Sequence, residues 1–266
     1  MSDIKKSVLQ ISTLEELTRK KTPIHRLQPS VKLLTTVIYL VVIISYRTSQ
    51  ISGLIPFVFY PILLMTLAEL PLKLLSQRIL IALPFTLFAG LSNLIVSREV
   101  VLSIWNIGIT EGMVSFCSIL LKTILTVLAV LILISTTSIN DLTYAMIGFK
   151  IPSIIAVQIM MTYRYISVLA GEISIMYHAY ILRAPKEKGI KLRDMGSFLG
   201  QLLIRSFDRA DRIYNAMKCK GFEGSVSFTK KKKISAKGWI YIVTVGGLLI
   251  LMRLVNVSEA IGNLLV

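Results

Sequence analysis

The order of apolar and polar positions along the chain is dominated by apolar runs, and runs of about 17 to 25 residues can cross a bilayer core as helices. Five stretches carry this signal: Val31 to Tyr46, Gln50 to Ala68, Ile79 to Val96, Gly112 to Ser135 and Trp239 to Val255. Each is read as a helix, because a backbone in lipid must satisfy its N–H and C=O groups within itself. Pro84 interrupts the third run and is tolerated there as a kink. Trp239 and Tyr241 open the fifth, where aromatic rings anchor spans at the interface.

Between the fourth and fifth runs the pattern changes. Asp141 to Phe149 reads as a short helix capped by Asn140 and closed before Pro152, since the residue ahead of a proline is pushed out of the helical region. Ser153 to Ala184 reads as a long helix stopped by Pro185. A third helix, Met195 to Lys220, ends at Gly221, a residue suited to the left-handed closing position. Its positions Leu199, Leu202, Leu203, Phe207, Ala210, Ile213, Tyr214 and Met217 recur every three or four residues and form one apolar stripe. Arg205, Asp208, Arg209, Asp211 and Arg212 lie between, at spacings that allow local ion pairs on an exposed face.

Composition sharpens this picture. Hydrophobic residues make up 54% of the 266 and charged residues only 17%, with a net charge of +16; a soluble domain carries roughly a quarter charged residues. In a membrane protein Lys and Arg gather on cytoplasmic loops, so the charge reports topology before it reports nucleic acid. The first thirty residues hold Lys5, Lys6, Arg19, Lys20, Lys21 and Arg26 without an apolar core and cleavage site, so an uncleaved, cytoplasmic N-terminus is expected. The beginning of the long helix, Ile154 to Met161, is apolar enough to enter a membrane. If Ser153 to Leu182 spanned, however, the segment Arg183 to Lys237, with fifteen basic and five acidic residues, would lie outside. That would invert the positive-inside rule where it is strongest. The expected organisation is therefore a cytoplasmic segment 1–30, a four-helix membrane region 31–135, a cytoplasmic or interfacial helical domain 136–237, and a final span within 238–266, in the cell membrane.

Catalytic signals are absent. No GxxxxGK[ST] phosphate cradle occurs, so the chain is not a P-loop ATP motor. His25 and His178 stand alone, His178 reading as a packing or interfacial residue beside Tyr177; Cys117 and Cys219 make neither a disulfide framework nor a metal set. No cofactor is expected. Lys122, near the middle of the fourth run, is either a functional intramembrane cation or one that snorkels. A lipid-processing enzyme would need paired acids at the interface, whereas Glu69, Glu99, Glu111 and Asp141 occur singly. A nucleic-acid tether would need exposed aromatics among its basic residues, and Phe207 and Tyr214 fall on the apolar stripe. The run Lys230 to Lys233 reads as a juxtamembrane cluster facing anionic lipid.

Two helix ends stand out, each with a cation at its C-terminal tip: Leu182-Arg183-Ala184, and Lys218-Cys219-Lys220-Gly221-Phe222. Ordinary C-capping explains them as well as docking does. With Tyr163-Arg164-Tyr165-Ile166, Glu172, and Arg205-Ser206-Phe207-Asp208-Arg209-Ala210-Asp211-Arg212-Ile213-Tyr214-Asn215-Ala216-Met217, they carry a resemblance to the T components of energy-coupling-factor (ECF) transporters, of the CbiQ type associated with cobalt uptake. The resemblance implies an all-α polytopic membrane protein of about five spans with two long, crossing cytoplasmic coupling helices. It implies no catalysis of its own, but partners: two ABC-type ATPase subunits and a substrate-binding membrane subunit, serving cobalt, nickel or a vitamin. On this resemblance Arg183 and Ala184, and Lys220 and Gly221, would dock the two ATPases. Arg164, Glu172, Arg205, Arg209, Arg212 and Met217 would support the coupling helices. Lys220 stands where the family has arginine, and Ala184-Pro185 replaces the family's glycine context; Lys188-Gly189 is a second reading of the first motif.

Overall fold

A computed structural model describes residues 17–18, 20, 22–48, 51–96, 100–104, 107–185, 187, 189–222 and 234–254. Among them the chain divides into two compact units, one of residues 17–138 with 234–254 and the other of residues 139–222.

The first unit is the membrane region. Helix α1 is Pro29–Ile44, started by a proline whose missing N–H costs nothing at a first helical position. A 3-10 stretch, Ser52–Val58, runs into α2, Phe59–Leu67. Pro56 and Pro61 withhold two amide donors from the i to i−4 ladder there, which favours the tighter winding. Helix α3 is Leu72–Val96 with Pro84 inside it, and α4 is Glu111–Thr136. The last helix, α5, is Ala236–Leu254, with a π-turn at Ile242–Gly246. Between α3 and α4 lies a two-stranded antiparallel hairpin, Val100–Ile104 paired with Ile107–Thr110. Its β-branched Val100, Val101, Ile104 and Ile107 suit strands.

Among the described residues, four helices are able by length and composition to cross a membrane: α3, α4, α5 and the long helix Ser153–Arg183 of the second unit. The first expected span keeps the 16-residue length of its apolar pattern, set two residues earlier, and the second is shorter than its own. Helix α1 is about 24 Å long at 1.5 Å per residue, and Ser52–Leu67 about 27 Å because its 3-10 half rises faster. Lipid is the solvent these surfaces call for: Ile81, Phe85 and Phe88 of α3 are 79%, 81% and 77% exposed, a contiguous apolar face that water would penalise.

Two buried clusters hold the unit. Tyr39, Val42, Ile43 and Tyr46 pack with Leu54, Phe57, Leu125, Ala129 and Leu249, and the Tyr39 hydroxyl donates to the Phe57 carbonyl at 3.0 Å. Ile24, Leu64, Met65, Ala68, Leu70 and Leu75 pack with Leu131 and Ile132. Tyr241 does not behave as the expected outward anchor. It lines an inner cavity with Lys32, Thr35, Tyr60 and Thr136, while Trp239 stays exposed.

The second unit holds α6, Ile139–Gly148; α7, Ser153–Arg183; and α8, Leu192–Cys219. Helix α6 begins ahead of Asn140, so this residue sits in the first turn and is not its cap. Lys150 takes a left-handed φ of 64° and closes α6 before Pro152.

Candidate coupling-helix site

Helices α7 and α8 form an antiparallel pair bridged at two levels, with a groove between them at a third. Next to the connecting loop, the Tyr180 hydroxyl donates to Asp194 Oδ2 at 2.7 Å and accepts from the Lys191 amide at 3.4 Å. Glu187 and Lys191 brace the loop with an ion pair of 2.7 Å. Midway, Glu172 receives Arg205 at 3.3 Å on one carboxylate oxygen and Arg209 at 2.9 Å on the other. Towards the far end, Tyr165, Arg209, Arg212, Ile213 and Ala216 line a groove of about 370 Å³.

The middle bridge corrects the expectation of local ion pairs. Arg205 and Arg209 sit one turn apart, so both reach a single acid on the neighbouring helix instead of Asp208 or Asp211 on their own. Glu172 is only 21% exposed, where two arginines satisfy it better than a solvated surface pair would. Arg164 and Arg212 are exposed.

The apolar stripe of α8 also divides. Leu202, Ile213 and Met217 are half-buried on the side of α7, whereas Leu199, Leu203, Phe207 and Tyr214 are 53%, 58%, 63% and 51% exposed. His178 is exposed, its ring edge-on to Tyr177 at 6.4 Å.

The two helix tips have different local chemistry. At the end of α7 the Ala184 amide donates to the Tyr180 and Ile181 carbonyls at 3.0 and 3.2 Å, leaving Arg183 exposed in the last turn. At the end of α8 the Phe222 amide reaches back to the Met217 carbonyl and the Gly221 amide to the Lys218 carbonyl, at 3.0 and 2.9 Å. Those bonds, with Gly221 at φ +80°, are a Schellman closure. It projects Lys220, at the cap position, into the open, and it gives Met217 a backbone role the sequence did not reveal. A Cβ on Gly221 would meet nothing within 4 Å, so Gly221→Ala carries only the left-handed penalty of about 1–2 kcal/mol. We expect amide exchange in the last turn of α8 to quicken about tenfold in that variant, while the Tyr180–Asp194 end is unchanged.

Because the pair is antiparallel, Arg183 lies beside the start of α8 and Lys220 at its end. The tips are thus separated by the length of a 28-residue helix, about 42 Å.

Other candidates resolve differently. No group of three metal-ligating side chains is found among the described residues. His25 organises a loop of the first unit: Nε2 donates to the Leu17 carbonyl at 3.0 Å and Nδ1 meets the Thr22 hydroxyl at 2.7 Å. Burial, and then the charge of Lys32, depress its pKa, which keeps the ring neutral in this role. Lys122 donates to the Tyr46 carbonyl at 2.5 Å. It thereby joins α4 to the chain two residues past the end of α1, Pro29–Ile44.

An all-α bundle with outward apolar faces and a charged antiparallel helix pair defines a multi-pass membrane protein. Residues 20–234 match the model of the cobalt transport protein family, CbiQ, and the chain belongs to that family. It is 24% identical over 241 residues to an uncharacterized protein of Methanocaldococcus jannaschii, covering 86% of this chain and 81% of that one. It is also 24% identical over 233 residues to the energy-coupling factor transporter transmembrane protein EcfT of Streptococcus equi subsp. equi, covering 80% and 84%.

Proposed function

We propose that the chain is the transmembrane coupling component of an ATP-driven ECF-type importer, itself non-catalytic, carrying cobalt or nickel ions through a separate substrate-binding membrane subunit. The carrying observation is the pair of exposed cationic tips, Arg183 and Lys220, at opposite ends of a strut about 42 Å long. Two ATPase subunits side by side are the partners such spacing suits, each taking one tip in an acidic groove. Nucleotide-driven approach of the ATPases would then shear α7 against α8. The open stripe Leu199, Leu203 and Phe207 would pass the movement to the substrate-binding subunit.

In this reading the second unit is cytoplasmic, with the N-terminus on the same side. Helix α8 carries eight charged residues within Leu192–Cys219, too many for a lipid environment. Helix α7 is laced to it from Tyr165 onward, so only the apolar start of α7 is free to dip into the interface. The metal assignment rests on the family match and on the resemblance around Asp211 to Met217, since the chain offers no ligand set among its described residues.

The test is reconstitution with the candidate ATPases and substrate-binding membrane subunit of its source, measuring ATP-dependent uptake of labelled Co²⁺ and Ni²⁺. Uptake of either, blocked by vanadate, is expected. A complex that hydrolyses ATP but carries only a vitamin would overturn the metal assignment; failure of any ATPase to assemble would overturn the coupling role.

A further inference from the structure

We propose that Lys32 and Lys122 form a reciprocal clasp that sets the register of α1 against α4 inside the membrane region. Lys32, on α1 and only 7% exposed, donates to the carbonyl of Thr136, the last residue of α4, at 2.7 Å. Lys122, on α4, donates to the carbonyl of Tyr46, just past the end of α1. Each helix thus lends a cation to the C-terminal end of the other. Lys32 precedes Tyr46 by fourteen residues and Lys122 precedes Thr136 by fourteen, so the two bonds belong to one antiparallel register, about 21 Å apart.

The packing between them obeys the same register. Tyr39 falls opposite Ala129 and Ile43 opposite Leu125, and all four share one buried cluster. Thr36 falls opposite Ile132, and both line the cavity beside Lys32.

The chemistry explains why lysines do this here. The last carbonyls of a helix have no intrahelical donor and carry the negative end of its dipole. An ammonium group that meets such a carbonyl makes a charge-assisted hydrogen bond at the favourable end of that dipole. Two apolar helices in lipid gain nothing from burial as such, so registers are told apart by van der Waals packing and by hydrogen bonds between the helices. A charged hydrogen bond at each end discriminates among them. Arg253 of α5 reinforces one end, donating to the Ser45 carbonyl at 3.3 Å and lying over the Tyr46 ring at 4.1 Å. The other end holds Thr136, where α4 stops and Thr137 turns to an extended conformation.

The inference does not depend on the transported substrate, and it is tested on the full chain in detergent with Cys117 and Cys219 replaced by serine. Lys32→Met and Lys122→Met are each expected to lower Tm by about 5 °C, whereas Lys→Arg at either position keeps a cation and most of the stability. Cysteines at Ile43 and Leu125 are expected to form a disulfide under a membrane-permeant oxidant, with a yield that falls several-fold in the double methionine variant. Methionine variants as stable and as readily cross-linked as the parent would mean that the lysines merely snorkel, and would overturn the clasp. Failure of the parent cysteine pair to cross-link would overturn the register. Should the methionine variants not accumulate, accumulation of the arginine variants upholds the clasp, and loss of both reassigns the lysines to packing.

Discussion

Reversing both tip charges, Arg183→Glu with Lys220→Glu, is expected to abolish co-purification of the ATPase subunits while the chain still inserts in the membrane. The tips are exposed and their backbones are closed locally, at α7 by the Ala184 amide and at α8 by the Schellman bonds. Neither cation is needed for the fold, so reversal acts on the partner surface. In the proposed docking, a truncated ion pair costs about 2–5 kcal/mol at a desolvated interface, and a carboxylate facing the acidic groove proposed for each ATPase would add repulsion at both ends of the strut. The two single variants are expected to retain one ATPase each at reduced occupancy. ATPases fully retained by the double variant would place docking elsewhere on the chain. Lys220→Arg offers the converse measurement: a planar fork makes two bonds to a carboxylate where an ammonium is a point charge, so tighter association is expected.

Charge reversal at Glu172 is expected to give the second large effect. Glu172→Lys would set a third cation between Arg205 and Arg209, which now meet the carboxylate at 3.3 and 2.9 Å. The intact bridges are half exposed and contribute only about 1 kcal/mol each, so the chain should still fold. The pair would instead be pushed apart at its centre, with both tips still present. The expected result is an assembled complex whose ATP hydrolysis no longer drives uptake. Arg205→Glu with Arg209→Glu in the Glu172→Lys background restores opposite charges and should recover part of the coupling. Normal uptake in Glu172→Lys would show that the bridge does not transmit movement.

Much of the membrane region was legible because its signal is local and long. An apolar run such as Gly112 to Ser135 can be little other than a buried or spanning helix, and the observed Glu111–Thr136 differs by one residue at each end. The 3-10 entry at Ser52–Val58 was less legible, since hydropathy does not distinguish 3-10 from α winding and only the two prolines hint at it. Gly221 at the end of α8 could be placed from sequence because a left-handed closing position selects glycine on backbone grounds. The left-handed Glu69 and Lys150 could not, since neither residue type advertises that conformation.

The basic residues show where sequence ends and tertiary structure begins. Counting them bounds the protein as a membrane chain with one strongly cationic segment, because net charge and hydropathy are sums that folding does not alter. What each cation does is a matter of distance, and distance between residues such as Lys32 and Thr136, or Glu172 and Arg209, is set only when helices pack. Sequence offered Asp208 and Asp211 as partners for the arginines of α8; the fold offered Glu172. Sequence left Lys122 between a transport role and a snorkel, and the fold gave it the open carbonyl of Tyr46. Helical periodicity reaches three or four residues along one helix, whereas these bonds join residues 33 to 104 positions apart. The sequence by itself determined the solvent, the long helices and the glycine that closes α8; the choice of partner for each charge belonged to the tertiary structure.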